Sequence, residues 1–420
     1  MAATIRRHNS PPVNYGFVVL IIIFEDAAVD RLRPATLARP AAAITCGSYR
    51  LIDVVAPWGP VRGIVRRHLQ TIAATDYDLD APPDQLPGAV TMINARVAPT
   101  RGNAQRIGDL VNQTGDVAIV DDHGDLVAAR WNSPPPDLMD RWASAAGTLP
   151  TRTESWDVFR WPHDIVAIHM ASMNESIGHR IDGGEYREIR DGLFVAPEVA
   201  IGDHLSIDVS DGPIVLDRGV SIGPSCFLAG PVYAGPRTRV IEHSALKDAV
   251  SLGHTVKIGG EVEASIIEPY TNKQHHGFLG HSYLGSWINL GAGTCNSDLK
   301  NTYGKINVQY GDEKTATGMQ FFGCVIGDYS KTAINTSIFT GKVIGVCSMM
   351  YGFVTSNVAS YVNYARLFGQ TSLLPPEVMI QTQARMFARR KVEQRPCDKQ
   401  LIRSMYELTE DERAAESELM

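Results

Sequence analysis

From Leu216 onward an apolar or small residue falls on every sixth position: Leu216, Ile222, Leu228, Ala234, Val240, Leu246, Leu252 and Ile258. Neither the 3.6-residue period of a helix nor the two-residue alternation of a strand produces this spacing. A repeat of six marks a β-solenoid, in which each short strand sends one side chain into a prism-shaped core and each corner turns the chain onto the next face. Glycine follows the inward residue at Ile222-Gly223, Leu252-Gly253 and Ile258-Gly259, where a corner needs backbone freedom that a Cβ restricts. The register breaks after Ala264, resumes at Leu284-Gly285 and Leu290-Gly291, and is visible again at Ile326-Gly327, Ile338 and Ile344-Gly345. This predicts a β-helix from Phe194 to Phe353. The polar sequences EPYTNKQHHGF and TCNSDLKNTYGKINVQYGDEKTATGM read as loops inserted into it, the usual place for chemistry on such a scaffold.

At 420 residues the chain exceeds what one core usually organises, so a second, unlike half is expected. The apolar run Phe17 to Phe24 reads as a buried strand, and it leads into a turn region bearing Arg31, Arg33 and Arg39 in which Pro34 and Pro40 limit helix. A strand followed by a basic loop suits the phosphate-facing edge of an α/β sheet, and equally a solvated loop. Val117–Val120 and Leu126–Ala129 read as two strands joined by the acidic turn Asp121-Asp122-His123-Gly124-Asp125. The expected organisation is an α/β domain at 15–145, a linker at 146–192 with a helix over Asp164–Ile181, the β-helix at 193–360 and a helical tail at 375–415. That tail is amphipathic and is expected to cover the open end of the solenoid, which would hide a strand edge.

A net charge of −7 with no basic stripe argues against nucleic acid as a partner. The longest apolar run holds eight residues, far short of the roughly 20 that span a bilayer, and no cleavage pattern follows Arg6 and Arg7, so neither membrane nor signal peptide is expected. Six cysteines without paired spacing suit free thiols in a reducing compartment, which makes the cytoplasm the expected location.

The densest polar cluster runs from Asn272-Lys273-Gln274-His275-His276 through His281-Ser282-Tyr283 to Asn289-Leu290-Gly291-Ala292-Gly293-Thr294-Cys295-Asn296. Acyl transfer from a thioester needs a base near neutral pKa, donors for the developing oxyanion and a groove for the acyl carrier. Histidine, asparagine and Gly-Ala-Gly supply these three kinds of group. A lone histidine is more often a hydrogen-bonded core member, but three within seven residues point to a site. Adjacent histidines also suit a metal, yet the region lacks the compact Cys, His and carboxylate grouping of a zinc site, and no metal is expected. Lys273, Lys300 and Lys305 suit phosphate as point charges, or stand as solvent-facing lysines.

The run HHGFLGHSYLGSWINLGAGTCNSDLKN resembles the acetyltransferase half of the bifunctional N-acetylglucosamine-1-phosphate uridylyltransferase/glucosamine-1-phosphate acetyltransferase family. It is closer still to proteins described as sugar nucleotidyltransferases with that kind of C-terminal half. The resemblance implies a left-handed parallel β-helix, a homotrimer, acetyl-CoA as acyl donor in clefts between coils, and a sugar phosphate or nucleotide sugar as acceptor. It implies His275 as general base with His276 as fallback, Asn289 contacting donor and acceptor, and Gly291, Ala292 and Thr336 at the coenzyme. Asn296 would line the acceptor pocket, with Lys273, His276 and Tyr283 also at the substrate. Where the family continues with tyrosine, this chain has Ser297 and then Asp298-Leu299-Lys300.

Arg31-Leu32-Arg33-Pro34-Ala35-Thr36 and Arg39-Pro40, followed by Gly47 and Ile52-Asp53, are similar to sugar nucleotidyltransferases. This implies an α/β nucleotidyltransferase-like N-terminal domain and, as the alternative function, synthesis of a nucleotide sugar from a sugar 1-phosphate, with the β-helix serving assembly. Arg31, Arg33, Asp121 and Asp122 would then hold a nucleoside triphosphate and Mg2+. The family's glycine-rich loop is replaced by Phe24-Glu25-Asp26-Ala27-Ala28-Val29-Asp30, and its lysine by Ala41. A loop without glycine brings backbone amides against phosphate less readily.

Overall fold

The computed structural model describes residues 19–86, 88–365 and 370–417. Phe17 and Val18, with which the first apolar run begins, and the predicted domain start at residue 15 lie outside the described residues. The run itself forms β1, Leu20–Phe24, all five residues buried. Its two faces enter different cores: Ile21 and Ile23 pack with the helices on one side, and Leu20, Ile22 and Phe24 pack on the other. A strand covered on both faces is what a continuous apolar run specifies. It is paired parallel to β2, Val61–Ile64, and β3, Val90–Asn94. The sheet continues through β5, Leu126–Trp131, the antiparallel member, to β4, Val117–Val120, and β6, Thr151–Thr153, in the order β2-β1-β3-β5-β4-β6. Four helices accompany it: α1 Leu51–Val55, α2 Gln70–Tyr77, α3 Arg101–Asn112 and α4 Leu138–Ala146.

The predicted linking helix is α5, Pro162–Gly183. It opens with proline at its first position, and the Asp164 carboxylate accepts from the Trp161 amide at 2.8 Å, a satisfied N-terminus. One side carries Met173 and Ile177 against Val215 and Tyr233 of the solenoid. From the same helix, His169 accepts at Nδ1 from the Gly47 amide (2.9 Å) and donates from Nε2 to the Ala249 carbonyl (2.7 Å). Burial pushes its pKa down to about 4, so the ring is a neutral clasp between the two halves.

The six-residue repeat forms a parallel β-helix with three faces. Leu216, Ala234 and Leu252 stack on the first face, Ile222, Val240 and Ile258 on the second, and Leu228 and Leu246 on the third. All eight are 0–4% exposed. The register does not stop after Ala264. Two short corners carry it on through Val262 and Ile267, and Lys273, Leu279 and Leu284 follow in the same inward column. The stretch EPYTNKQHHGF is therefore a coil, not an inserted loop. An ionisable residue at an inward position hid the repeat: Lys273 pairs with Ile258.

The true insertion lies between Asn296 and Cys324. It contains a hairpin, Asn307–Tyr310 with Glu313–Ala316, that folds back onto the first half. There Ile306, Val308 and Phe322 join the N-terminal core, and Tyr310 stacks on Trp161 at 4.9 Å. The tail forms α6 Pro376–Arg389, α7 Pro396–Leu408 and α8 Glu410–Ser417. Met379, Phe387, Leu401, Ile402 and Met405 pack on the corners at Trp287, Tyr329, Cys347 and Tyr361 and on Leu37 and Leu69. The tail thus lies along a flank and ties the solenoid to the first half, where sequence suggested a cap on the open end. No helix among the described residues is long and apolar enough to cross a membrane.

Candidate active site on the β-helix

Three corner loops stack where the second face turns into the third. His275 and His276 stand on the first, exposed, and the Gly293 amide of the next coil donates to the His276 carbonyl at 3.0 Å. The Asn335 amide of the third coil in turn donates to the Ala292 carbonyl at 2.7 Å. Gly293 has φ +75°, and a Cβ there would meet Asn335 Oδ1 at 2.2 Å. Glycine suits this crossing, since a side chain here would be strained and would displace that of Asn335. The structure therefore brings His275, His276, Gly291 and Ala292 into one column. Among the described residues neither imidazole has a hydrogen-bond partner.

Other expected site residues lie elsewhere. Asn289 is on the second face, its Oδ1 accepting from Asn272 Nδ2 at 2.8 Å. Thr336 is buried and donates from Oγ1 to the Ala333 carbonyl at 3.0 Å, so its hydroxyl is spent on the corner. Asn296 points into the core in register with Ile338. It closes on both backbone groups of Gly280, at 2.8 and 3.0 Å, and not on an acceptor pocket. Lys273 is likewise internal, 2% exposed, and donates to the carbonyls of Gly259 (2.7 Å) and His275 (3.1 Å). Burial pushes its pKa down to about 8. It holds the corner that displays His275 and is no solvent-facing phosphate clamp. Lys300 is pinned to the Lys305 carbonyl at 2.6 Å.

Tyr283 is fully buried beneath the N-terminal half, donating to Glu268 at 3.1 Å. It belongs to a network in which Arg39 reaches Glu268 (3.1 Å) and Asp328, while the Thr45 amide and hydroxyl donate to Glu268 at 2.9 and 3.1 Å. The basic loop read as phosphate-facing thus spends Arg39 on the solenoid.

A pair that sequence reasoning did not single out stands at the end of the third face. His281 Nδ1 lies 2.9 Å from Asp298 Oδ2, and the ring stacks on Phe321 at 5.2 Å. His281 is 6% exposed, and its Nε2 makes no hydrogen bond among the described residues. Glu263 is a neighbour; burial lifts its carboxyl above the usual range against the pull of His281 and Lys247. A carboxylate on Nδ1 fixes tautomer and ring orientation and leaves Nε2 to accept a proton. The signal was present in the spacing. Asp298 follows His281 by 17 residues, about one coil, so the two positions stack.

The carboxyl ends of β1, β3 and β4, where open α/β sheets receive ligands, are occupied by ion pairs of the chain itself. Arg96, 1% exposed, binds Asp26 at 2.7 Å and Asp125 at 3.2 Å, and Arg160 binds Asp125 at 2.8 Å and also Asp121. Asp121 Oδ1 accepts from the amides of His123 and Asp125 at 2.9 and 3.1 Å, so this residue builds its hairpin turn. Arg31 lies over the Trp161 ring at 5.7 Å, and Arg33 binds the Leu408 carbonyl at 3.1 Å and Asp30 at 3.0 Å. These residues do not converge and do not fit a nucleoside triphosphate with Mg2+. Among the described residues no group of three or more His, Cys, Asp or Glu is placed to hold a metal ion.

Residues 21–181 match a family model described as sugar nucleotidyl transferase. The chain is 30% identical over 174 residues to the bifunctional protein GlmU of Alkalilimnicola ehrlichii, covering 36% of this chain and 34% of that one. It is 26% identical over 159 residues to a bifunctional sugar-1-phosphate nucleotidylyltransferase/acetyltransferase of Sulfurisphaera tokodaii, covering 37% and 40%. Against GlmU of Burkholderia mallei the identity is 25% over 312 residues, covering 67% and 65%. The chain thus spans less than two thirds of the length of each of these relatives. A solved UDP-N-acetylglucosamine acyltransferase of Francisella novicida overlaps 51% of this chain and 77% of its own at 16% identity, with a TM-score of 0.21, too low to bear on function. The chain therefore joins a segment that matches the sugar nucleotidyl transferase family model to a parallel β-helix, and it is similar to a bifunctional sugar-1-phosphate nucleotidylyltransferase/acetyltransferase and to bifunctional GlmU proteins.

Proposed function

We propose that the protein is an acyltransferase whose chemistry resides on the β-helix, moving an acyl group from coenzyme A to an amine or hydroxyl of a sugar phosphate or nucleotide sugar. The observation that carries this reading is the His281–Asp298 pair at 2.9 Å. In the proposed step His281 Nε2 takes the proton of the acceptor as its nitrogen or oxygen attacks the thioester carbonyl, and Asp298 stabilises the imidazolium that forms. The thiolate of coenzyme A leaves and is protonated. The Gly291–Gly293 corner is the proposed seat of the acyl carrier. His281 and this corner lie at opposite ends of the narrow third face, so neighbouring copies in a trimer would complete the site. The exposed rings of Phe321, Phe339 and Phe353, at 40%, 48% and 51%, support such a contact near the pair. The name of the Sulfurisphaera tokodaii relative, which includes acetyltransferase, supports the reaction class.

His275 was the base implied by resemblance. It remains on the carrier corner, but without an orienting partner it is the weaker candidate. Free coenzyme A released from acetyl-CoA with glucosamine 1-phosphate and related acceptors tests the assignment. His281→Ala should abolish release and His275→Ala should retain most of it; the opposite ranking returns the role to His275. A second reading, nucleotidyl transfer by the first half, is favoured by the family match over residues 21–181. The ion pairs at the strand ends weigh against it, and pyrophosphate release from nucleoside triphosphates decides the point.

A further inference from the structure

A cavity of about 310 Å³ lies between the second face of the β-helix and the end of α6. Lys257 and Lys331 enter it from the two ends of the row Lys257–Asn272–Asn289–Lys331, three coils apart, and Arg389 and Arg390 from the helix. Among the described residues none of the four forms an ion pair with a carboxylate; Lys331 Nζ donates to the Tyr329 carbonyl at 2.9 Å. Four cations around one small cavity repel one another. Burial, and then Arg390, Arg239 and Arg389, hold Lys257 below the usual lysine range, and burial and Arg389 lower Arg390. In a chain of net charge −7 this concentration of unneutralised positive charge is a local cost, and a polyvalent anion would offset it.

The remaining walls narrow the ligand. Tyr270, half-buried, stacks on Trp287 at 4.2 Å with 6° between the rings, and Trp287 is backed by Phe387 at 4.3 Å. The floor carries the side-chain amides of Asn272 and Asn289. Guanidinium pairs recognise phosphate geometry, an aromatic wall takes the edge or face of a base, and amides read ring or ribose polar groups.

We propose that this cavity binds a nucleotide, its phosphates between Lys257, Lys331, Arg389 and Arg390 and its ring or ribose against Tyr270 and the two asparagines. The site stands on a different face from His281 and requires no step of the acyl-transfer reading. The same chemistry is offered by the nucleotide end of an acyl carrier and by the diphosphate of a nucleotide sugar.

Calorimetric titration of the full chain with inorganic pyrophosphate, uridine diphosphate and coenzyme A tests the inference without relying on turnover. Saturable binding of at least one of them, weakened about tenfold or more by Arg389→Ala with Arg390→Ala and weakened by added salt, is the expected result. These two substitutions lie at a helix end, the first exposed and the second half-buried; unchanged unfolding temperature confirms that the fold is kept. Lys331→Met repeats the test from the solenoid side. Tighter binding of coenzyme A than of uridine diphosphate assigns the site to the carrier, and the reverse order assigns it to a nucleotide sugar. No saturable binding up to about 1 mM, or binding that the arginine substitutions leave unchanged, overturns the proposal.

Discussion

Arg39 is the residue on which the union of the two halves depends most. Its side chain is 3% exposed, and those of Glu268 and Asp328 are 2% exposed each. Arg39→Met keeps much of the volume and removes the charge, which leaves two carboxylates in a buried site. Breaking a buried pair from one side costs about 3–5 kcal/mol, because the remaining charge is uncompensated. For a cooperative unit of 150–250 residues each kcal/mol moves the midpoint by roughly 2–4 °C. The expected fall in unfolding temperature is therefore roughly 6 to 20 °C, readable by circular dichroism or calorimetry. Adding Glu268→Gln and Asp328→Asn to Arg39→Met should restore more than half of the loss, since it removes the stranded charges. A drop under about 1 kcal/mol for Arg39→Met, or a triple variant no more stable than the single one, would refute the account of the junction.

Asp298→Asn should lower kcat for thioester turnover by about 10- to 150-fold, the worth of a hydrogen bond to a charged group, and shift the acidic limb of the pH–rate profile to lower pH, because His281 acts as a base in its neutral form; an unchanged profile would remove Asp298 from its orienting role. Lys273 is pushed down to about 8 by burial, from an ordinary value near 10.5. Below pH 8 its buried ammonium opposes folding, so stability owed to this group rises between pH 8 and 10.5. Lys273→Met should flatten that rise, and identical pH curves for the two proteins would contradict it. Lys331 is pushed down to about 8 by burial as well, amid Lys257, Arg389, Arg390 and a neutral Cys347 thiol whose pKa burial lifts to about 12. Anion binding in the α6 cavity should therefore weaken from pH 7 to 9; equal affinity across that window would exclude Lys331 from the contact.

The β-helix was legible because its period comes from side chains alone, and Leu216 through Ile258 occupy the inward positions that the spacing assigned. The reading faltered where an inward position is polar. Lys273 and Asn296 satisfy their groups on coil carbonyls and amides, which a hydrophobic pattern cannot report. Lys273 was therefore read as part of a loop, and Asn296 as an acceptor contact. His275 and His276 drew attention because adjacent histidines are conspicuous, whereas His281 gains its partner only when one coil is laid over the next. The same holds for Arg39 and Tyr283. Glu268 lies 15 positions before Tyr283, about one coil, whereas Arg39 reaches Glu268 and Asp328 from more than 200 positions away, a distance over which local spacing says nothing.

The account's central claim is that the β-helix performs the transfer and the strand-end crevice of the first half does not. One incubation with acetyl-CoA, glucosamine 1-phosphate or a related amino sugar, nucleoside triphosphate and Mg2+, assayed together for free thiol and pyrophosphate, tests it most directly. Thiol release that His281→Ala abolishes, with no pyrophosphate, is the predicted result; pyrophosphate without thiol, unaffected by that substitution, would contradict it.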